Sequence, residues 1–319
     1  MTAAVGATRR VGIDVGGTKA QGIALDADNQ VVATAHRATP RGPDSLEPLI
    51  DTLIDLSREL EHDGSVGVGV PGLVTRDGVL RAAPNLDGVA NFEIGGMLSA
   101  ALGIDVPIDS DATCAALAEW RLGAGVGATD MVMVTLGTGI GGGLVSNGAI
   151  QRGANGFAGE FGHMVVDPAG PPCPCGRRGC WERYASGTGL AMLARNAATG
   201  GRLGSIVREL GGDAQAVRGE DVQAAARGGD PEALAVIDEF GRWVAIGLSN
   251  LTNVVDPELF VLGGGLAQSA DLYLGPITSW FEQLIYQPDL RPIPRLEFAK
   301  WGPLAGAVGA ALLPAEASP

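Results

Sequence analysis

The chain has 319 residues, of which 46% are hydrophobic, so it can bury a sizeable core in two domains or in one large bilobed domain. Its formal net charge of −14 argues against sequence-independent binding of nucleic acid, which needs a basic surface. We expect a cytoplasmic protein with no membrane partner, because the N-terminus lacks an apolar signal segment and no apolar run approaches the roughly 18 residues of a membrane span.

Short strands and helices alternate in the first part of the chain. Three closely spaced strands with turn residues between them predict an antiparallel meander. A stripe of leucine and isoleucine at spacings of three and four predicts the first helix. In chain order, the predicted elements are strands Arg10–Val15, Ala20–Leu25 and Gln30–His36, helix Asp44–Glu61, strand Val66–Val70, helix Phe92–Leu102, strand Ile104–Ile108 and helix Asp111–Leu122.

The pattern then restarts about 120 residues after its first occurrence. The chain opens with a strand, a Gly-Gly-Thr turn and a second strand. The same order of elements recurs as strand Met131–Leu136, a glycine-threonine turn and strand Ile140–Val145. Glycine-rich hairpins are common, but two such units indicate a duplicated architecture with two hairpins that face phosphate.

The remaining part of the chain is more helical. Asp230 followed by Pro231 is typical of a helix N-cap, and apolar residues every three or four positions extend this helix to about Val255. Glu258–Leu262 is a predicted strand, and Leu304–Leu313 is a predicted helix of small residues. This mixed order predicts an α/β protein with two lobes and a cleft.

The first motif with chemical potential is the run from Asp14 to Lys19. Gly16 and Gly17 allow backbone amides to converge on an anion, while Thr18 adds a hydroxyl donor and Lys19 a positive charge. Lys19 is one of only two lysines in the chain. Asp14 ends an apolar strand, where its carboxylate could hold hydrated Mg²⁺. The alternative is an ordinary hairpin turn.

Two further glycine runs follow apolar strands. One includes Gly137, Thr138 and Gly139, and the other includes Gly264 and Gly265. Such runs can admit a phosphate or the flat face of a nucleoside, although each by itself is also consistent with a tight turn. Three such turns in one chain favour a nucleotide-binding cleft.

The sharpest motif is H-x9-C-x-C-x4-C, formed by His163, Cys173, Cys175 and Cys180. One imidazole and three thiolates make a closed tetrahedral zinc set, and soft sulfur ligands exclude Mg²⁺ and Ca²⁺. Because four protein ligands leave no open position, we expect the zinc to be structural. The remaining cysteine, Cys114, is predicted to be a small core residue.

Several acidic residues lie beside these motifs. Asp109 and Asp111 flank Ser110 at a predicted strand end and helix start, where a carboxylate could be a helix cap or a base. Glu160 and Glu182 bracket the cysteine motif and could accept hydrogen bonds from a polyhydroxyl ligand. The alternative is that they are ordinary surface acids in a chain that has 36 acidic residues.

Taken together, these motifs resemble the bacterial repressor, open-reading-frame and kinase (ROK) family of sugar kinases. The resemblance covers nearly the whole chain, and the cysteine motif is its most specific part. The run Trp181–Gly187 most resembles the actinobacterial-type ATP-dependent glucokinases of the family. The matching segments are DVGGTK (14–19), VGVGVPG (66–72), APNL (83–86), VTLGTGIGGG (134–143), AGEFGH (158–163) and CPCGRRGCWE (173–182).

The resemblance implies an actin-like, hexokinase-type fold, which is a duplicated ribonuclease H-like architecture with a zinc-binding loop. On this basis we expect a smaller lobe at residues 1–110 plus about 303–319. The larger lobe would span 111–302 and include the zinc loop at 163–182 and the nucleotide-binding glycine turns. Family members also suggest a homodimer or homotetramer.

The implied activity is ATP-dependent phosphorylation of a hexose, most simply of glucose at its 6-hydroxyl, with ATP, Mg²⁺ and structural Zn²⁺. Asp111 would be the general base, and Asp14 would orient Mg²⁺. The implied sugar-binding residues are Asn85, Ser110, Asp111, Glu160, His163 and Glu182. The implied nucleotide-binding residues are Gly16, Gly17, Thr18, Lys19, Gly137, Thr138, Gly139, Gly264 and Gly265.

One departure from the family pattern concerns the sugar. The family usually has Asn-Asp-Ala-Asn around the base, whereas this chain has Ser110, Asp111, Ala112 and Thr113. Serine lacks the amide's pair of donors, so the sugar identity stays open. The alternatives are an N-acetylhexosamine or fructose kinase, or a catalytically weakened sugar sensor. A DNA-binding repressor and a polyphosphate-dependent enzyme are disfavoured.

Overall fold

A computed structural model of the chain describes residues 9–83 and 86–316. Contacts divide the chain into two compact units. Unit 1 comprises Met1–Gly127, Gly143–Gly159 and Pro303–Pro319, and unit 2 comprises Ala128–Gly142 and Glu160–Gly302. Among the described residues, no helix combines the length and the apolar character that crossing a membrane requires.

The elements up to residue 122 belong to unit 1. In chain order they are β1 (Arg10–Val15), β2 (Lys19–Leu25), β3 (Val31–Ala38), α1 (Leu46–Glu59), β4 (Ser65–Val70), β5 (Leu73–Val74), β6 (Leu80–Ala82), α2 (Ile94–Leu102), β7 (Ile108–Ser110) and α3 (Asp111–Leu122).

The remaining elements run from residue 131 to the C-terminal region. The strand at Ile140–Ser146 begins in unit 2 and continues into unit 1. These elements are β8 (Met131–Leu136), β9 (Ile140–Ser146), β10 (Ala149–Ile150), α4 (Glu182–Ala185), α5 (Gly187–Thr199), α6 (Gly204–Glu209), α7 (Gly219–Arg227), α8 (Pro231–Val255), β11 (Leu259–Gly263), α9 (Ala270–Leu284), β12 (Arg295–Phe298) and α10 (Ala305–Glu316).

The two large sheets have matching strand orders. The first is β3-β2-β1-β4-β7, and the second is β10-β9-β8-β11-β12. In the first, β1 to β3 pair antiparallel as predicted, while β4 and β7 add in parallel. In the second, β11 pairs in parallel with both β8 and β12. The repeated order confirms the duplicated α/β architecture that the two strand-turn-strand units indicated.

Helix α10 packs directly on the first sheet because both surfaces lack large side chains. A Cβ atom placed on Gly12 of β1 would lie 1.9 Å from the carbonyl oxygen of Ala307, so only glycine permits this approach. The helix buries Ala307, Val308 and Ala310 completely. The small-residue composition of the C-terminal segment therefore sets how closely the helix seats on β1.

Unit 2 is organised around α8, the long helix predicted after Asp230. The Asp230 carboxylate accepts hydrogen bonds from the backbone N–H groups of Glu232 and Ala233 at 2.9 and 3.0 Å, which confirms the predicted N-cap. Farther along the helix, Phe240 is fully buried and packs against Tyr273 of α9. The carbonyl of Trp243 accepts a hydrogen bond from the indole of Trp181, which anchors the segment before α4.

One predicted strand is wrong. The region expected as Ile104–Ile108 forms its strand later, as β7 (Ile108–Ser110), which pairs with β4. Pro107 has no backbone N–H to donate to a ladder, and Gly103 ends α2 in a left-handed conformation. The apolar side chains of this stretch therefore belong to a connection rather than to a strand.

The division by contacts differs from the expected lobes at two segments. Residues 111–127, with α3, and residues 143–159 group with unit 1. For α3 the reason is that it packs on α10 with backbones in contact. A Cβ atom on Gly309 would lie only 1.7 Å from the carbonyl oxygen of Cys114. Cys114 itself is fully buried, as predicted for a core residue.

Candidate active site

The first glycine turn of unit 1 connects β1 to β2. The Gly16 N–H donates to the carbonyl of Lys19 at 2.9 Å, which closes the turn and leaves Thr18 and Lys19 exposed. Thr39 supports it from the end of β3 by donating its hydroxyl to the Gly16 carbonyl at 2.7 Å. Thr39 therefore holds the turn in place, while the side chains of Thr18 and Lys19 are exposed.

A second cation at this turn was not predicted from the sequence. Arg41 donates from Nε and Nη2 to the carbonyl of Gly17, at 3.1 and 2.9 Å. Its guanidinium adds positive charge beside Lys19 on the same turn. The signal available in the sequence was only an arginine after the third strand, 24 residues from the glycine it contacts.

Asp14 and Asp111 are brought near each other within unit 1. Burial, followed by the negative charge of Asp111, raises the pKa of Asp14 to about 7, and Lys19 opposes this effect. The Asp14 carboxylate also lies against the backbone of α10, where a Cβ atom on Gly306 would be 2.6 Å from it. Two mutually repelling carboxylates beside a phosphate-type turn form hard oxygen ligands of the kind Mg²⁺ prefers.

Asp111 is the first residue of α3, and Ser110 caps this helix. The Asp111 Oδ1 accepts from the N–H of Ala112 at 2.7 Å, and the Ser110 hydroxyl accepts from the N–H of Thr113 at 3.4 Å. A helix N-terminus favours a negative charge, which suits an ionised base at Asp111. The other predicted residue of this region, Asn85, lies outside the described residues.

In unit 2 the predicted zinc ligands come together as one cluster. Ligand atoms of His163, Cys173, Cys175 and Cys180 all lie within 4.8 Å of one another. The Sγ atoms of Cys175 and Cys180 are 3.5 Å apart, and the Sγ of Cys173 is 4.0 Å from Nδ1 of His163. Tetrahedral Zn–S bonds of about 2.3 Å would place two sulfurs roughly 3.8 Å apart, so these residues fit zinc.

Two carboxylates lie on opposite sides of the His163 ring. Glu182 Oε1 is 3.7 Å from Nδ1, on the side of the cysteine cluster, and Glu160 Oε2 is 3.9 Å from Nε2. Burial raises the pKa of Glu160, the charge of His163 opposes this, and Glu182 adds to it. The predicted group of Glu160, His163 and Glu182 is thus adjacent in space within unit 2.

A cavity of about 770 Å³ in unit 2 is large enough for a nucleotide. Of the predicted nucleotide-binding residues, Gly137, Thr138 and Gly265 line it, whereas Gly139 and Gly264 are not among its lining residues. The cavity is also lined by residues that sequence reasoning did not identify: Thr188, Ala191, Arg195, Arg218, Gln223, Gln268 and Ser269.

One pattern in the sequence indicates some of these additional lining residues of the cavity. Residues 187–189 read Gly-Thr-Gly, the same letters as residues 137–139. In the structure the two runs lie together, because Gly187 N–H donates to the carbonyl of Gly137 at 2.7 Å and the Thr188 hydroxyl donates to the carbonyl of Thr138 at 2.8 Å.

Comparisons with known proteins point in one direction. The sequence model of the ROK family matches residues 10–317. A glucokinase from Streptomyces coelicolor is 34% identical over 312 residues, covering 97% of this chain and 98% of that protein. An N-acetyl-D-glucosamine kinase from Yersinia enterocolitica is 33% identical over 317 residues, covering 95% of this chain and 98% of that protein.

A solved structure gives the same result for the fold. The crystal structure of a ROK family glucokinase from Streptomyces griseus, in complex with glucose and AMPPNP, matches with a TM-score of 0.82 and 34% identity. The match covers 96% of this chain and 98% of that chain.

Proposed function

The chain belongs to the ROK family, and we propose that it is an ATP-dependent hexose kinase that phosphorylates glucose at the 6-hydroxyl. The observation that carries this proposal is the near full-length similarity to a glucokinase whose crystal structure contains glucose and AMPPNP. The local geometry supports it, because the glycine turn with Lys19 lies in the same unit as the neighbouring carboxylates Asp14 and Asp111.

We assign proton transfer to Asp111. Phosphoryl transfer passes through a loose transition state, so it needs positioning and neutralisation of charge more than a strong base. The carboxylate of Asp111 accepts the proton of the sugar hydroxyl as the bond to phosphorus forms. The positive end of the α3 dipole favours the negatively charged form of this carboxylate.

We assign phosphate binding to the turns. In unit 1, the turn of Gly16, Gly17, Thr18 and Lys19 contacts the ATP phosphates through the amides of Gly17 and Thr18 and the charge of Lys19, while the Gly16 N–H closes the turn. Arg41 adds positive charge at the same turn. In unit 2 we assign nucleotide binding to Gly137, Thr138, Gly139, Gly264 and Gly265, of which Gly137, Thr138 and Gly265 line the cavity. Asp14 would hold Mg²⁺, which when bound neutralises phosphate charge.

Sugar recognition is assigned to Glu160, His163 and Glu182, with Ser110 and Asn85 as further contacts. Each carboxylate can accept two or more hydrogen bonds from vicinal hydroxyls. Zinc held by the cluster would be structural and would stiffen the loop that carries these groups. With Nδ1 of His163 on the cluster side, the ring is left to donate from Nε2 toward the Glu160 side.

A second candidate substrate has its own support. The similarity to an N-acetyl-D-glucosamine kinase is nearly as strong as that to glucokinases, and Ser110 leaves more room than the usual asparagine. The reaction and the base would be the same. Assembly as a homodimer or homotetramer and a cytoplasmic location stay predictions.

The test is a coupled ADP-release assay with Mg-ATP and a panel of glucose, mannose, fructose, N-acetylglucosamine and N-acetylmannosamine, with a no-sugar control. Turnover chiefly on glucose is the expected result. Preference for another sugar would reassign the pocket but keep the kinase. No turnover on any sugar by folded, zinc-loaded protein would contradict the proposal and favour a sensor. An Asp111→Asn variant should lose at least ~100-fold in kcat and still bind the sugar.

A further inference from the structure

The turn at Gly137–Gly139 and the segment after the cysteine motif are joined inside unit 2. Gly187 and Thr188 donate hydrogen bonds to the carbonyls of Gly137 and Thr138, and both donors lie at the start of α5. This helix is capped by Ser186, whose hydroxyl also donates to the carbonyl of Glu182 at 2.6 Å. Hydrogen bonds therefore connect the turn, the start of α5 and Glu182 in one network.

The carboxylate of Glu182 lies between the turn and the cluster. A Cβ atom built on Gly139 would be 2.8 Å from Oε2 of Glu182. Leaving aside its chain neighbours, the only other atom of the described residues within 4 Å would be Cδ of the same carboxylate, at 3.9 Å. The second oxygen, Oε1, lies 3.2 Å from the Sγ of Cys173. Glu182 thus fills the space that a side chain at position 139 would need.

We propose that Gly139 is a positioning residue for Glu182, and that its missing side chain serves sugar binding rather than phosphate binding alone. The inference rests on the proposed function, because it takes Glu182 as a ligand of the sugar. It goes beyond that function by giving a residue of the phosphate turn a specific effect on the sugar site.

The expected effect of a methyl group at position 139 follows from the contact. A separation of 2.8 Å is shorter than van der Waals contact, so one of the two groups must move. The atom in contact is the far end of a flexible side chain rather than backbone, so the carboxylate moves and the backbone stays. Gly139 does not have a positive φ, so alanine is also compatible with the local conformation.

The test compares Gly139→Ala with the wild-type enzyme. We expect this variant to unfold at the same urea concentration and to raise the KM for glucose by ~10-fold or more. Because alanine keeps the backbone N–H and carbonyl through which position 139 would contact phosphate, the KM for ATP should change by less than about twofold. Glucose binding measured by calorimetry without ATP should weaken by the same factor. The matched control is Gly275→Ala in α9, where a Cβ atom would meet no described atom within 4 Å apart from the backbone of its own helix, and it should alter neither constant.

A double-mutant cycle separates positioning from a general disturbance. Glu182→Asp shortens the side chain by one methylene and withdraws the carboxylate from position 139. If Gly139 acts through Glu182, adding Gly139→Ala to Glu182→Asp should weaken glucose binding by less than about twofold further. If the double variant instead weakens glucose binding by the product of the two single-variant factors, the two residues act independently and the proposal is overturned.

Other outcomes are also decisive. A Gly139→Ala enzyme that loses affinity for ATP while its glucose affinity is unchanged would overturn the proposal and leave Gly139 as a phosphate-binding residue. A crystal structure of this variant with Glu182 in its original place would do the same. A wild-type protein that neither binds nor phosphorylates any sugar would instead defeat the proposed function, and this inference with it.

Discussion

Within unit 1, Arg152 donates a hydrogen bond from Nε to Oδ2 of Asp109 at 2.6 Å. Asp109 lies two residues before the proposed base, Asp111. The Asp109 side chain is 7% exposed and that of Arg152 is 28% exposed. Oδ1 of the same carboxylate accepts from the N–H of Ser110 at 2.8 Å. The ion pair therefore holds the end of β7 at the point where α3 begins.

Removing Arg152 should leave a nearly buried carboxylate without its partner. We expect Arg152→Ala to lower the free energy of unfolding by roughly 2–3 kcal/mol, less than for a fully buried pair because the arginine is partly exposed. Urea denaturation followed by tryptophan fluorescence measures it. Arg9→Ala, which breaks an exposed pair with Glu61, is the control and should cost less than about 1 kcal/mol. Equal losses in the two variants would show that burial of Asp109 has no energetic effect.

The same carboxylate should give the stability a defined pH dependence. Burial raises the pKa of Asp109 above its ordinary value of 3.8, although Arg152 opposes the effect. The folded state then holds this proton more tightly than the unfolded state, so this contribution to stability is full below 3.8 and is lost as the pH rises through the folded pKa. An Asp109→Asn variant has an amide at this position, which does not titrate, and so lacks this contribution.

As the pH rises from acid to neutral, the free energy of unfolding of Asp109→Asn should therefore increase relative to that of the wild type. The difference between the two should then level off. Urea unfolding at a series of pH values measures this difference directly. A constant difference across the range would mean that the pKa of Asp109 is the same in the folded and unfolded states.

Zinc content should depend on the cluster and not on cysteine in general. Cys175→Ser removes one thiolate ligand, so we expect loss of the metal, lower thermal stability and weaker sugar binding. Cys114→Ala removes a cysteine in the core of unit 1 and should keep the metal. Elemental analysis of both purified variants measures the content. Retention of stoichiometric zinc by Cys175→Ser would remove this residue from the ligand set.

Ser110 should have two separable effects. Its hydroxyl caps α3, so Ser110→Ala should lower the free energy of unfolding by about 1 kcal/mol. Ser110→Asn keeps a good cap and adds amide donors, so stability should hold while the KM for glucose falls. Urea titration and steady-state kinetics on both variants test this. An unchanged KM in Ser110→Asn would indicate that position 110 does not contact the sugar.

Blocking the cavity of unit 2 should affect the nucleotide alone. Ala191 lines this cavity from α5, so Ala191→Trp should raise the KM for ATP by ~10-fold or more through steric exclusion. Asn196→Trp, on an exposed position of the same helix, is the matched control. Glucose affinity measured without ATP should be unchanged in both variants. Normal ATP kinetics in Ala191→Trp would show that the nucleotide binds elsewhere.

Local patterns in the sequence were sufficient wherever a structure is formed by residues close in the chain. The His/Cys cluster follows from one imidazole and three thiols within 18 residues, and Asp230 with Pro231 identifies the start of α8. The glycine turns after β1 and β8, and the repetition of strand, turn and strand, indicate the duplicated α/β architecture without any knowledge of tertiary contacts.

Only the tertiary structure brought together residues that are far apart in the sequence. Arg152 meets Asp109 across 43 residues, Thr188 meets Thr138 across 50, and Glu182 fills the space beside Gly139. No short window of sequence encodes such contacts, because they depend on how whole strands and helices pack. The start of β7 has both origins: Pro107 lacks a backbone N–H for the ladder, which is a local signal, but only the pairing with β4 decides that the strand begins at Ile108 rather than at the apolar residues before it.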